Sequence, residues 1–354
     1  MERGIIDSHW HLYDLEDEAG ASVLPAVEEV RARCGLRAVN LCAIPIYMDL
    51  GPEQNILAAL YKLADPTAFA CGGLVYPEKP FRSPMPRDMD PLRQYRELMA
   101  LGFDGIKMLE TKPTEQKAYG VRMDDVCFEP FFAACEEDGT HMVWHVADPE
   151  TFWDSDRIPK RFLERGWYYG DGTYLSWEET YGQVIRVLQK HPRLRAVFAH
   201  FFFLSGHPEQ LEQLFRAYPG VGVDITPGSE MFADFRENRE FYREFFIKYA
   251  DRITFGTDTS VKNSDMERFC RRSLDLRRFL TTEEELEIIG VPTRGLGLPR
   301  SVCDRILCGN FEAAVGSTPK PVDKAALRAY VEKYGNLLTH EKTRRYILRA
   351  METL

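Results

Sequence analysis

The sequence predicts an α/β fold, a (β/α)8 TIM barrel, on three observations. Short apolar runs alternate with longer amphipathic segments eight times along the chain. No Gly-rich phosphate turn follows the first run, where an open doubly wound sheet, the competing architecture, would normally carry one. Polar residues suited to catalysis fall at the C-terminal ends of five of the runs, the end at which barrel enzymes assemble their sites.

The first strand is GIIDSHWHL, residues 4–12. Side chains two apart on a strand share a face, so Asp7, His9 and His11 point the same way. The following strands are expected at 37–46, 68–77, 102–110, 140–149, 195–203, 220–228 and 251–260. On the fourth, Gly105 and Lys107 face inward while Ile106 and Met108 face the helices; on the eighth, Thr254, Gly256 and Asp258 face inward. Asp224 and Thr226 face inward on the seventh. Amphipathic segments such as QNILAALYKLA, PLRQYRELMALGF and WEETYGQVIRVLQKHP lie between the strands, several closed by Gly or Pro.

Two parts exceed a minimal barrel. The connection from Asp148 to Ser176 is far longer than the roughly 2–6 residues usual after a barrel strand, and is rich in Trp and Tyr. It is expected to cover the mouth as a lid, with Arg157, Lys160, Arg161 and Arg165 supplying positive charge and WYYGDGTY supplying flat rings. Residues 1–318 form the barrel on this reading. Residues 319–354 form a charged helical extension that packs on the barrel or pairs with another copy as a homo-oligomer.

Composition narrows the function. Of the 354 residues 44% are hydrophobic and 28% charged, and no apolar run approaches the roughly 18 residues of a membrane span. A soluble, cytoplasmic protein is expected, the chain entering a strand at once with no signal peptide. A net charge of −10 argues against a nucleic-acid surface, and the basic stretch ERFCRRSLDLRRF looks like a solvated helix face. The eight cysteines contain no CxxC pattern and are expected as reduced, mostly buried thiols.

Placed on the strands, the chemistry-bearing residues converge. His9 and His11 end the first strand, Lys107 nears the end of the fourth, and His145, His200 and Asp258 end the fifth, sixth and eighth. Neutral imidazoles with a carboxylate are a ligand set for Zn2+ or for Mn2+ or Fe2+, and such sites usually leave a position for water. Hydrolytic chemistry on a small-molecule substrate follows. His141 starts its strand and reads as structural, and His191 and His340 as surface residues. His207, after the sixth strand, is on the active face as a substrate contact. Asp7, one layer below His9, either orients a ligand histidine or is a buried structural carboxylate.

The motifs DSHWHL, GIKM, WHV, FAH and FGTD, in this order at barrel spacing, resemble the amidohydrolase superfamily, and within it the amidohydrolase-related (amidohydrolase 2) branch of metal-dependent hydrolases and decarboxylases. The resemblance spans roughly residues 4–318, with DRILCGNFEAAVG similar to the branch's closing helix. It implies one divalent ion, Zn2+ first, bound by His9, His11, His145 and Asp258. It further implies Asp258 and His200 as the groups that move protons, and Lys107 either as a cation for the substrate or, carboxylated, as a bridge to a second ion. Glu110 stands where relatives often carry a histidine, and with His207, Arg157 and Tyr168 completes the expected substrate contacts. Hydrolysis of a small organic acid, amide, ester or lactone is expected. Decarboxylation of an aromatic or muconate-like acid is the alternative, disfavoured because His9 stands where decarboxylases of the branch often carry Glu.

Overall fold

Parallel strands run in chain order around a barrel: β1 (Ile5–His11), β2 (Leu36–Cys42), β3 (Phe69–Gly72), β4 (Gly105–Thr111), β5 (His141–Val146), β6 (Arg195–Phe198), β7 (Val221–Asp224) and β8 (Ile253–Thr254). The structure is a computed structural model that describes residues 4–12, 23–76, 90–228, 230–260 and 266–354. The loop after the first strand, Tyr13 to Gly20, and the last residue of the expected third strand, Pro77, lie outside the described residues. Each strand pairs with its sequence neighbour in parallel, as right-handed βαβ crossovers require.

The seam between the last and first strands closes differently. Beyond β8 the chain leaves regular pairing, then rejoins β1 through a two-residue strand, β9 (Thr259–Ser260), in register Trp10↔Thr259. Backbone bonds Ser8 N→Phe255 O (3.0 Å) and Asp258 N→His9 O (3.0 Å) complete the seam. The barrel is therefore nearly closed.

Strands β6 and β8 are shorter than the sequence predicts. His200, Phe201, Phe202 and Phe203 all have positive φ, between 51° and 59°, and Asp258 has φ 51°. The left-handed run turns the chain off the β6 axis, so His200 sits just beyond that strand, whereas Asp258 turns the chain into β9, four residues after β8 ends. A second departure is an antiparallel hairpin, β10 (Glu285–Ile288) and β11 (Val291–Arg294), after the eighth strand, where no further strand was expected.

Helices cover the barrel with the faces that the sequence pattern predicts. Helix Trp177–Lys190 opens on Ser176, whose Oγ accepts from Glu179 N, and buries Tyr181, Val184, Val187 and Leu188. Helix Pro91–Leu101 opens on Asp90 and stops at Gly102, whose φ of 103° needs glycine and whose absent Cβ would stand 2.2 Å from Pro321 O. At the barrel floor Ile6, Ala38, Phe69, Cys308 and Phe311 form a separate apolar cluster, and the His141 ring meets Phe311 edge-on at 5.6 Å. All eight cysteines are free thiols, seven of them buried. Among the described residues no helix is long and apolar enough to cross a membrane.

The chain's last helices, Lys324–Tyr334 and Glu341–Thr353, pack on Glu53–Ala64 and Pro91–Leu101. Tyr330 is buried there, and its hydroxyl accepts from Asn55 Nδ2 at 2.8 Å. Asp104 joins the extension to the barrel edge by accepting from Lys320 N at 2.7 Å and from Ala70 N at 2.9 Å. Truncating Tyr330 to Ala is expected to cost about 3 kcal/mol, the usual loss for a buried aromatic, whereas Tyr330→Phe should cost about 1 kcal/mol. Urea unfolding of both variants checks this: equal midpoints for Tyr330→Ala and the unaltered protein would mean that the extension contributes nothing to the barrel.

Candidate metal centre and its cavity

At the C-terminal end of the barrel, His9 and His11 project from β1 on the same face, as strand alternation requires, and Asp258 reaches them from the turn after β8. Their candidate ligand atoms all lie within 4.8 Å of one another. His11 Nε2 is 3.0 Å and His9 Nε2 is 3.8 Å from Asp258 Oδ1. Each imidazole is oriented by its other nitrogen. His9 Nδ1 donates to Asp224 Oδ2 at 2.8 Å, and His11 Nδ1 to the Cys42 carbonyl at 2.7 Å. These bonds orient both rings so that each Nε2 faces the centre.

The electrostatics suit ligands. Burial pushes the imidazoles of His9, His145 and His200 down to about 4, so they are neutral at pH 7 and able to donate lone pairs. Burial opposes the charge on Asp258, but the hydrogen bond and charge of His11 outweigh it and hold the carboxyl well below its ordinary range. Two imidazole nitrogens and an anionic oxygen, with no thiolate beside them, match the donor set of an open Zn2+, Mn2+ or Fe2+ site.

The remaining expected residues separate into two groups. Lys107, His145 and His200 share the cavity with the triad. Lys107 Nζ lies 3.0 Å from His9 Nε2. His200 has its ring 6.1 Å from that of His9 and 4.9 Å from that of His145. His145, expected as a fourth ligand, directs Nε2 at the Ala147 carbonyl (2.9 Å) and lies 3.5 Å from Asp148, so it stands in the wall rather than in the triad.

None of the four expected substrate contacts lines the cavity. Glu110 is on the opposite face of β4 from Lys107, bonded to Tyr76 Oη (3.1 Å) and Leu109 N (2.8 Å). His207 and Arg157 are both drawn to Glu150, at 3.2 and 3.9 Å. Tyr168 packs inside the lid's own cluster around Phe152, Ile158 and Tyr169. The cavity, about 410 Å3, instead takes Arg161, Arg165, Phe162 and Trp167 from the lid and Arg268 and Arg272 from the helix Met266–Thr281. The last two belong to the stretch read as a solvated face; their i,i+4 spacing was the available signal that they share one side of a helix.

Asp148 holds the lid to the barrel. It accepts from Lys112 Nζ at 2.8 and 2.7 Å and from Tyr169 Oη at 2.7 Å, and Lys112 lies 4.7 Å from the centre of the Trp167 ring. Asp7 also differs from its more functional reading. It accepts from Thr257 N (3.0 Å) and Thr257 Oγ1 (2.7 Å), so it shapes the turn that presents Asp258. Asp224 is the carboxylate that orients His9.

With this geometry in place, comparison with known proteins is direct. The family model described as Amidohydrolase matches residues 78–310. The chain belongs to the amidohydrolase family. This amidohydrolase carries His9 and His11 outside the matched residues, so their assignment rests on the geometry above. No curated protein matches it. Among solved structures it is similar to 4-oxalomesaconate hydratase from Rhodopseudomonas palustris, with 13% identity, coverage of 95% of this chain and 100% of that one, and a TM-score of 0.53. It is also similar to a putative amidohydrolase from Staphylococcus aureus (15%, 88% and 99%, 0.52) and an uncharacterized TIM-barrel protein from Bordetella bronchiseptica (14%, 88% and 98%, 0.52). At such identities the likeness shows the barrel fold. Family membership marks the chain as an enzyme of the amidohydrolase type, a family that generally binds divalent metals.

The buried titratable groups set a pH dependence for the metal-free protein. His9, His141, His145 and His200 are held at about 4, against roughly 6.5 unfolded, so their contribution is complete above pH 6.5 and lost as pH falls toward 4. Asp7 and Glu110, raised to about 7 by burial, act oppositely because the folded state takes up their protons first. Four groups oppose two, so the chelated protein should lose stability between pH 6.5 and 4. Urea midpoints across that range measure it; a level or rising midpoint on acidification would contradict the buried neutral histidines.

Proposed function

We propose that this amidohydrolase hydrolyses a small organic acid, amide, ester or lactone at a single divalent ion, Zn2+ first, held by His9, His11 and Asp258. The observation that carries the reading is the convergence of two oriented imidazoles and an anionic carboxylate at the catalytic end of the barrel. A divalent ion in such a site supplies Lewis acidity and lowers the pKa of a water to about 7.

The protein's own groups then divide the work. Asp258, one-third exposed to the cavity and anionic at neutral pH, is the nearest base for a proton leaving the attacking water. His200, neutral and packed face-on against Phe203 at 4.9 Å, offers a second acceptor that returns the proton to the leaving group. Lys107 Nζ points into the same space. Lys107 Nζ lies against His9 Nε2, so with an ion held there Lys107 would turn to an anionic oxygen of the substrate; carboxylated, it would instead help to hold a second ion. The aromatic and cationic lid residues Trp167, Phe162, Arg161 and Arg165 favour an acid with a ring or unsaturated portion and exclude water.

Hydrolysis is preferred to decarboxylation because Asp258, within the triad, and His200, beside it, are proton acceptors at pH 7, whereas decarboxylation needs an acid to protonate carbon.

Emission spectroscopy should find a divalent metal in the purified protein and little in His9→Ala/His11→Ala; equal content in both would remove the site. Asp224→Asn should lower metal affinity about 10- to 100-fold while the protein stays folded, measured by competition with a chelator. A panel of lactones, amides and hydroxybenzoate-type acids, followed by pH change and by CO2 release, should yield acid without CO2. Stoichiometric CO2 with no hydrolysable substrate turned over would replace hydrolysis by decarboxylation.

A further inference from the structure

Six cationic side chains and two carboxylates line the catalytic cavity, and four of the cations are already engaged. Lys112 is paired with Asp148 at 2.7 Å, and Lys107 lies against His9 Nε2 at 3.0 Å. Arg272 donates through Nη1 to the carbonyls of Thr257 (3.2 Å) and Asp258 (3.0 Å), and Arg268 has a partner of its own. The carboxylates are engaged too, Asp148 by Lys112 and Asp258 by His11. Arg161 and Arg165 are different. Neither guanidinium has a hydrogen bond or an ion pair among the described residues, and the acid between them in the sequence, Glu164, is turned to Lys160 at 3.7 Å.

Water alone satisfies an exposed guanidinium, but these two are placed by aromatic rings. Arg161 lies 4.7 Å from the centre of the Phe162 ring and Arg165 lies 5.6 Å from that of Trp167. Those two rings stack on each other at 5.6 Å with 8° between their planes. The buried Phe152 ring backs the stack, 4.8 Å from Phe162. Trp167 is in turn tied to the barrel by Lys112, 4.7 Å from its centre and held by Asp148. A guanidinium supported on a ring face keeps its N–H edge free, and that edge fits the two oxygens of a carboxylate.

The place of this plate in the barrel bears on what it receives. The lid follows β5, which is four strands from β1 in either direction round the eight-stranded circle. His9 and His11 stand on β1, and Asp258 follows β8. The lid and the triad therefore reach the one cavity from different sides, and a group bound at the lid arginines is a different group from the one over the triad.

We propose that Arg161 and Arg165 receive the carboxylate of a planar, ring-bearing acid whose reacting amide, ester or lactone is a separate group, held over His9, His11 and Asp258. The proposal deepens the hydrolase reading and rests on its placement of the reaction in this cavity. It gives the acid group a positioning task, since charge-assisted bonds at the lid orient the scissile group without occupying the ion. The substrate of a decarboxylase would instead bring its carboxylate to the ion.

Calorimetric titration of benzoate and of its neutral isostere benzamide, at matched ionic strength, into the purified holoprotein and into the chelated protein tests this. Benzoate should bind about tenfold more tightly than benzamide, the gain of one charge-assisted contact, and the ratio should be the same with and without metal. Arg161→Gln/Arg165→Gln should bring the ratio close to one and leave benzamide affinity unchanged, which also shows that the cavity is intact. Each single variant should give part of the loss, so a double variant that no longer binds benzamide does not hide the result. Arg157→Gln removes a lid charge already drawn to Glu150 and should leave the ratio as it is. Benzoate binding no more tightly than benzamide, including no detectable binding of either, would overturn the proposal. So would a ratio that survives loss of both arginines, collapses on chelation, or falls equally in Arg157→Gln. Binding is read without turnover and metal content is measured separately, so this proposal and the hydrolase reading fail independently.

Discussion

A single buried carboxylate, Asp224, holds the catalytic end of this barrel in register. Its Oδ2 accepts from His9 Nδ1 on β1, while Oδ1 accepts from the backbone N of His200 after β6 and of Thr226 after β7. Burial disfavours its charge, yet the His9 hydrogen bond holds the carboxyl below its ordinary range, so it is an anion that must be fully partnered. Three segments meet to satisfy it. The same bonds that remove a buried charge penalty also fix the ring of His9 and the position of His200, so the geometry of the centre follows from solvating one side chain.

That arrangement depends on a backbone form with its own cost. Residues His200 to Phe203 are consecutive left-handed residues without a glycine among them, at roughly 1–2 kcal/mol each. Packing offsets this. Phe202 stacks on Phe198 at 4.0 Å and Phe201 on Phe246 at 5.8 Å, and Tyr181 Oη donates to the Phe202 carbonyl at 2.7 Å. The run of three phenylalanines after His200 is therefore the anchor of a turn that delivers the His200 backbone N–H to Asp224, and its apolar character has a positional reason.

Much of this was legible in the residues themselves. Apolar runs separated by amphipathic segments located all eight barrel strands, and period-two alternation put His9, His11 and Lys107 on inward faces, because burial on a strand leaves a direct trace in the order of side chains. Carried two residues further, the same alternation puts Glu110 on the outer face of β4, opposite Lys107; reading it as a substrate contact followed family position over strand parity. The lid contacts were illegible for a different reason. In an irregular segment no period links sequence to direction, so Arg157 and Arg161, equally basic, could not be told apart until Glu150 was seen to hold the first. The β10–β11 hairpin was hidden because its turn is Ile-Gly, whereas the usual sequence signal is Asn-Gly.

The closing seam of the barrel has a consequence for how the molecule is made. The residues that complete the circle, Ser8 with Phe255 and His9 with Asp258, are also among or next to the proposed metal ligands, and Ser8 and Phe255 are 247 positions apart. Contacts of such separation are the slowest to form, since the loop must be ordered before the contact stabilises anything. On a growing chain the first strand emerges carrying two imidazoles, and the carboxylate that completes their ligand set is not synthesised until most of the barrel has followed. On the proposed function, metal capture would be tied to topological completion: an ion held by His9, His11 and Asp258 would fasten the first and last staves of the barrel together, and a chain cut short before Asp258 would have nothing to fasten.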